Sequence, residues 1–120
     1  MKKDFEKWAL KQLGIYHKLL LLTDHLLSFE YEKDMGVAAM QHNFSYPYKT
    51  TPIMYGDYAL GLWKDGKKEE LRKILIHELC HSITDPFYSK AIDRHTGKAD
   101  LEDERERVTD HIANIITKMT

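Results

Sequence analysis

The chain has a single cysteine, Cys80, in 120 residues, which excludes a disulfide within the chain and fits a reducing compartment. Long apolar runs are missing as well. No run is longer than Leu19 to Leu22, and Thr23, Asp24 and His25 separate it from Leu26 and Leu27, far short of the ~20 residues of a membrane span. Nor is there an excess of one charge. The 18 basic residues face 19 acidic ones, and no stretch of Lys and Arg stands clear of Asp and Glu, so the electrostatic footprint of a nucleic-acid binder is lacking. After Met1-Lys2-Lys3, the residues Asp4, Glu6, Lys7, Lys11 and Gln12 stand where a signal peptide needs an apolar core. These absences lead us to expect a cytoplasmic protein whose mature form is the whole chain, with neither nucleic acid nor membrane as partner.

What is present is an ordinary globular composition. With 42 % apolar and 11 % aromatic residues the chain can close a core, and its length suits one folded unit, residues 1–120. From Lys3 to about Leu27 the sequence lacks Pro, and Phe5, Trp8, Ala9, Leu13 and Tyr16 recur at helical spacing, which predicts a helix, broken near Gly14. Phe29 and Tyr31 then alternate with Glu30 and Glu32 as in a half-buried strand, and Asp34-Met35-Gly36 forms a turn. Val37 to Phe44 and Thr50 to Tyr58 read as further strands, separated by a segment in which Pro47 breaks any ladder. The middle third is therefore expected to be a small three-stranded, mainly antiparallel sheet.

Lys67 to Ile83 carries the strongest helical pattern, apolar in its second half at Ile74, Leu75, Ile76, Leu79 and Ile83. Asp85-Pro86 should end it, because a residue preceding proline avoids the helical region. A linker from Thr84 to Asp100 and a last helix from about Leu101 to Met119 follow. That helix should bury a stripe of Leu101, Val108, Ile112, Ile115, Ile116 and Met119.

Within the buried half of the Lys67 to Ile83 helix stands His77-Glu78-Leu79-Cys80-His81, the pattern H-E-x-x-H. Residues four apart project from one helical face, so both imidazoles can bind one metal ion while Glu78 reaches a water on it. Two histidines and a glutamate among Ile and Leu would otherwise be costly to bury. A catalytic zinc site takes three protein ligands and leaves a fourth position for water, so a further donor must come from elsewhere. The last helix offers Glu106 and Asp110, one turn apart on a common face. Glu106 is the preferred ligand because it lies deep in the helix beside Val108 and Ile112. Glu102, nearer the end, is next, followed by His95 and His111. Asp110 suits the role of a carboxylate that receives the second N–H of a ligating imidazole.

On these residues the chain resembles the gluzincin metallopeptidases, and its short length with a preceding sheet is similar to minimal zincins of the phage metallopeptidase type, more distantly to ImmA/IrrE-type and SprT-type domains. The resemblance covers about Phe29 to Thr117. It implies an α+β zincin-like fold: an N-terminal helix, a small sheet, an H-E-x-x-H helix packed on it, and a C-terminal helix completing a Zn2+ site. His77 and His81 match the two histidine ligands, Glu78 the general base, Glu106 the glutamate ligand and Asp110 the acid behind a ligand. The longer metzincin motif would require Gly at position 84 and His at position 87, where Thr84 and Phe87 stand. Gluzincins often carry Asn before the ligand glutamate, and here that position is Arg105.

The expected activity is hydrolysis of a protein or peptide substrate by a zinc-activated water with Glu78 as base. His95, Tyr88 and His111 are the candidate oxyanion donors. Thr50 to Tyr58 is the expected substrate-pairing edge strand, and Tyr46, Tyr48, Tyr55 and Tyr58 either line a cleft or pack across strands. Cys80 is expected to be a small core residue. The rival reading is a zinc-stapled protein-interaction module without catalytic activity, although such a site has no use for Glu78 beside His77.

Overall fold

The computed structural model describes residues 1–20, 26–42, 50–92 and 97–120. In order, the elements are α1 (Lys2–Leu19), β1 (Leu26–Tyr31), β2 (Met40–His42), β3 (Thr50–Tyr55), α2 (Asp57–Lys64), α3 (Lys68–Ile92) and α4 (Lys98–Met119). The class is α+β, four helices around a three-stranded sheet of order β1-β3-β2.

That sheet is mixed, which corrects the expectation of a mainly antiparallel one. β1 pairs with β3 in parallel from Leu26↔Thr50 to Tyr31↔Tyr55, and only the shorter β2 is antiparallel to β3, from Met40↔Tyr55 to His42↔Ile53. Parallel neighbours need a connection of a dozen or more residues, which the chain length between β1 and β3 allows, and β2 lies on the far side of β3. β3 is thereby the central strand. Pro52 falls outside its stretch paired with β2, so the missing N–H leaves that ladder intact.

The core lies between the sheet, α1 and α3. Phe5, fully buried, packs its ring against Phe29, Tyr55 and Trp63 at centroid distances of 5.7, 5.0 and 5.5 Å. Tyr55 is thus cross-strand packing rather than a cleft wall; it stacks on Phe29, and its hydroxyl donates to Glu6. Tyr58 is exposed on α2, and Tyr46 and Tyr48 lie outside the described residues.

Several boundaries differ from the sequence reading. α1 runs unbroken through Gly14 and ends at Leu19, while Leu26 and Leu27 belong to β1. The second strand covers Met40–His42 instead of starting at Val37, which is 92 % exposed just after a turn where Gly36 has φ +59°. The third strand stops at Tyr55 because Gly56 turns the chain into α2. A Cβ there would come 3.2 Å from Cβ of Met35, so any larger residue would have to push Met35 aside. α2 ends in a Schellman closure, with Gly66 at φ +73°, Lys67 N–H on Leu62 carbonyl and Gly66 N–H on Trp63 carbonyl.

The largest change concerns α3, which continues through Asp85-Pro86 to Ile92, so most of the expected linker is helix. A proline inside a helix costs about 3 kcal/mol. Tertiary bonds offset it on either side. The Thr84 hydroxyl shares a hydrogen bond of 2.8 Å with the Thr109 hydroxyl of α4, and Tyr88 donates to Glu102 at 3.0 Å while Arg105 stacks over its ring. α4 buries Thr109 and Ala113 most deeply, and of the predicted stripe Ile112 and Ile116 pack partly buried against the core. Ile115 and Met119 are exposed, because the helix turns its small residues to its neighbour and allows close approach.

Among the described residues no helix is long and apolar enough to cross a membrane.

Candidate metal centre

α3 has two buried faces. Leu71, Leu75, Ile76, Leu79 and Cys80 enter the core, whereas His77, Glu78, His81, Ser82 and Asp85 form a polar stripe at the i, i+1, i+4, i+5, i+8 positions of one helical face. Glu78, His81, Ser82 and Asp85 are all buried, and each buried polar group must find a partner. The partners come from α4 and β2.

His77 and His81 bring their Nε2 atoms to 3.2 Å from each other. Glu106, on α4, turns Oε2 to within 3.4 Å of His77 Nε2 and Oε1 to within 3.5 Å of His81 Nε2. The other nitrogens face carboxylates: Nδ1 of His77 lies 2.7 Å from Asp110 Oδ1, and Nδ1 of His81 lies 2.9 Å from Asp85 Oδ1. A neutral imidazole has one N–H. If both rings donate it from Nδ1, both Nε2 lone pairs and the Glu106 carboxylate point at one another with no proton between them. Such a group of acceptors calls for a cation at its centre. His77, Glu78 and His81 offer ligand atoms all within 4.8 Å of one another, a group able to bind a metal ion, and Glu106 closes on it from the opposite helix.

The electrostatics follow from burial and crowded carboxylates. Burial pushes the Glu78 carboxyl up to about 7. Glu106 and Asp85 add to the rise, whereas His81 and a hydrogen bond from the His42 backbone N–H oppose it. For His81, burial favours the neutral ring, but the hydrogen bond and charge of Asp85, with Glu78 and Glu106, outweigh it and raise its pKa. Burial likewise acts against the Asp85 carboxylate, yet hydrogen bonds with His42 and His81 hold it down at about 2. Cys80, on the other face, is pushed up to about 12 by burial and is a core thiol, not a thiolate.

The cluster lies on a cleft of about 460 Å³ whose walls include Met40, His42, Tyr88 and Arg105. A second hollow of about 380 Å³ shares Met40, His77 and Glu78 with it and continues toward Asp110 and Asn114. Arg105 lies 3.5 Å from Glu106 and within 4.0 Å of Asp85, and its buried Nε has no hydrogen-bond partner among the described residues.

The other residues singled out from sequence are placed differently. Glu102 stands away from the cluster, accepting from Tyr88 and near Lys98 at 3.9 Å. Tyr88 lines the cleft with its hydroxyl engaged by that bond. His111 is exposed on α4, and His95 lies outside the described residues. Sequence reasoning missed Asp85, His42 and Arg105. Asp85 had a signal, since it follows His81 by four residues on the same helical face. His42 comes from a separate strand and had none.

No protein-family model matches the chain, and neither a curated protein nor a solved structure matches it.

Proposed function

We propose that the chain is a zinc-dependent metallopeptidase acting on a protein or peptide substrate. The observation that carries this reading is the convergence of His77 Nε2, His81 Nε2 and the Glu106 carboxylate, 3.2 to 3.5 Å apart, with both Nδ1 atoms already facing carboxylates. Tetrahedral zinc with bonds of about 2.0 to 2.2 Å spaces its ligand atoms about 3.3 to 3.6 Å apart. The spacing of the donor set is that of such an ion, with Glu106 turning one oxygen to each ring, and three protein ligands would leave room for a water beside the cleft. Zinc held there lowers the pKa of a coordinated water toward ~7 and polarises a carbonyl.

The chain's own groups have separate tasks. His77, His81 and Glu106 hold the ion, while Asp110 and Asp85 fix the tautomer and direction of the two rings. Glu78, buried beside them, accepts the proton of the attacking water and returns it to the leaving amine. Its raised pKa belongs to the site without a cation. A nearby divalent charge favours the carboxylate, the form a base requires. The permanent cation on the cleft wall is Arg105, which suits the developing oxyanion better than Tyr88 or His111. Because β3 is internal, β2 is the edge strand at the cleft, and an extended peptide would add to its outer side by main-chain hydrogen bonds. An open cleft at the cluster favours catalysis over a purely structural staple, whose zinc is closed by four protein ligands.

The test compares the native chain with Glu78→Gln and His77→Ala. Metal analysis should give about one zinc per chain for native and Glu78→Gln and none for His77→Ala, and only the native chain should cleave an unfolded protein such as casein. Hydrolysis surviving in Glu78→Gln would overturn the assigned base, and absence of zinc from the native chain would overturn the reading itself.

A further inference from the structure

The polar stripe of α3 reaches beyond the metal cluster to a residue from a distant part of the chain. His42, at the end of β2, is buried, with its ring suspended between two side chains of α3. Its Nε2 lies 3.0 Å from Ser82 Oγ, and its Nδ1 lies 3.4 Å from Asp85 Oδ2. The other oxygen of the same carboxylate, Oδ1, is the one that meets His81 Nδ1 at 2.9 Å. The His42 and His81 rings run nearly parallel, 14° apart, on the two sides of Asp85. A Ser-His-Asp sequence of contacts suggests a nucleophilic triad, but Ser82 is only 4 % exposed and Asp85 is engaged by a second histidine. The arrangement is built for holding, not for attack.

We propose that His42 is a positioning residue of the metal centre. It anchors the carboxylate that directs His81 to the ion, and its main chain holds Glu78. β2 is in this way fastened to a ligand and to the base through one residue, so the strand that walls the cleft and the cation site form a single unit. An imidazole in this place does what an aliphatic side chain of equal volume would not. It supplies one nitrogen to Ser82 and the other to Asp85 Oδ2, which fixes the carboxylate with Oδ1 turned toward His81. The inference rests on the proposed metal site, and on no property of the substrate.

Zinc affinity of the full chain, measured by competition with a chromophoric chelator, provides the test. Partners behind a ligating histidine typically contribute 10- to 100-fold in affinity. Asp85→Asn and His42→Phe should each bind zinc at least about tenfold more weakly than the native chain with the stoichiometry unchanged. The double variant should be no weaker than Asp85→Asn alone, because His42 acts through Asp85. His42→Asn, which keeps a donor close to the position of Nδ1, should recover most of the affinity. Substituted Co2+ should report the same order through its visible absorption.

If His42→Phe loses its helical circular dichroism, Ser82→Ala carries the test. It removes one atom and the ring's second anchor, and should weaken zinc binding by about threefold or more and alter the Co2+ spectrum. Native-like affinity in His42→Phe, losses that multiply in the double variant, or an unaltered Ser82→Ala site would overturn the positioning role while leaving the metal centre standing. A native chain that binds no zinc would overturn both.

Discussion

The second nitrogens of His77 and His81 are held by carboxylates from different helices: Asp110 of α4 lies 2.7 Å from Nδ1 of His77, and Asp85 of α3 lies 2.9 Å from Nδ1 of His81. The first contact crosses a helix interface and the second stays within one turn of one helix. His77 is therefore oriented only while α4 is docked, whereas His81 is oriented by α3 itself and by β2 behind it. Glu106 also comes from α4, so that helix supplies two of the five side chains proposed to hold and orient the ion, and both depend on the α3–α4 contact made through Thr109 and Ala113.

Glu106→Ala should lose the zinc of the native chain, and Glu102→Ala should retain it. Glu106 reaches both Nε2 atoms, whereas Glu102 accepts the Tyr88 hydroxyl away from them. Removing one of three protein ligands leaves two imidazoles, too few for a stable site. Zinc content after gel filtration decides the matter. Retention in Glu106→Ala with loss in Glu102→Ala would move the third ligand one turn along α4.

Zinc binding should release protons, and its affinity should rise with pH through the range above 6.5. Although burial opposes it, without a cation the pKa of His81 is raised, chiefly by Asp85, which favours the protonated ring, and the ion must displace that proton. Glu78, pushed up to about 7 by burial, gives up a proton as the divalent charge arrives. The sign is fixed: acid weakens binding. Calorimetry in buffers of different ionisation enthalpy should register net proton release on zinc binding, and a smaller release in Glu78→Gln.

How much of this was legible from the sequence depends on the reach of each interaction. The i, i+4 rule placed His77 and His81 on one face, and the same rule paired Glu106 with Asp110, because within a helix spacing alone determines which side chains are neighbours. Asp85 obeys that rule too. It was hidden because Pro86 signalled a helix end, and the tertiary bonds of Thr84 and Tyr88 that carry α3 past it have no local signature. β1 and β3 gave strand signals, but their parallel pairing depends on where β2 crosses, a choice made by packing. Of α2, Asp57 and Tyr58 fall within the expected third strand and residues 59–64 carry no assignment from sequence, although Gly56 and Gly66 mark the helix's two ends.

Phe5→Ala should be among the most destabilising single changes, by about 3 to 5 kcal/mol. Phe5 is fully buried and is the ring common to contacts with Phe29 on β1, Tyr55 on β3 and Trp63 on α2. Its loss opens a cavity where three elements meet. Against a total stability of roughly 5 to 15 kcal/mol, that change takes a large share. Denaturant unfolding should show a lower midpoint at nearly constant slope, and Phe5→Leu should recover much of the difference.

Chelation should lower the melting temperature of the native chain and leave His77→Ala unmoved. An ion bound only by the folded state stabilises it by RT ln(1 + [L]/Kd), about 2.7 kcal/mol at a free concentration one hundred times Kd. The unfolded chain keeps His77 and His81 but not Glu106 within reach, so its competition for zinc is weak. The native melting temperature should also rise with added zinc as the logarithm of its concentration, the mark of linkage and not of a general salt effect. His77→Ala has lost a ligand, so chelator and zinc should both leave its transition where it was. An equal response in the two proteins would place the stabilising ion somewhere other than between α3 and α4.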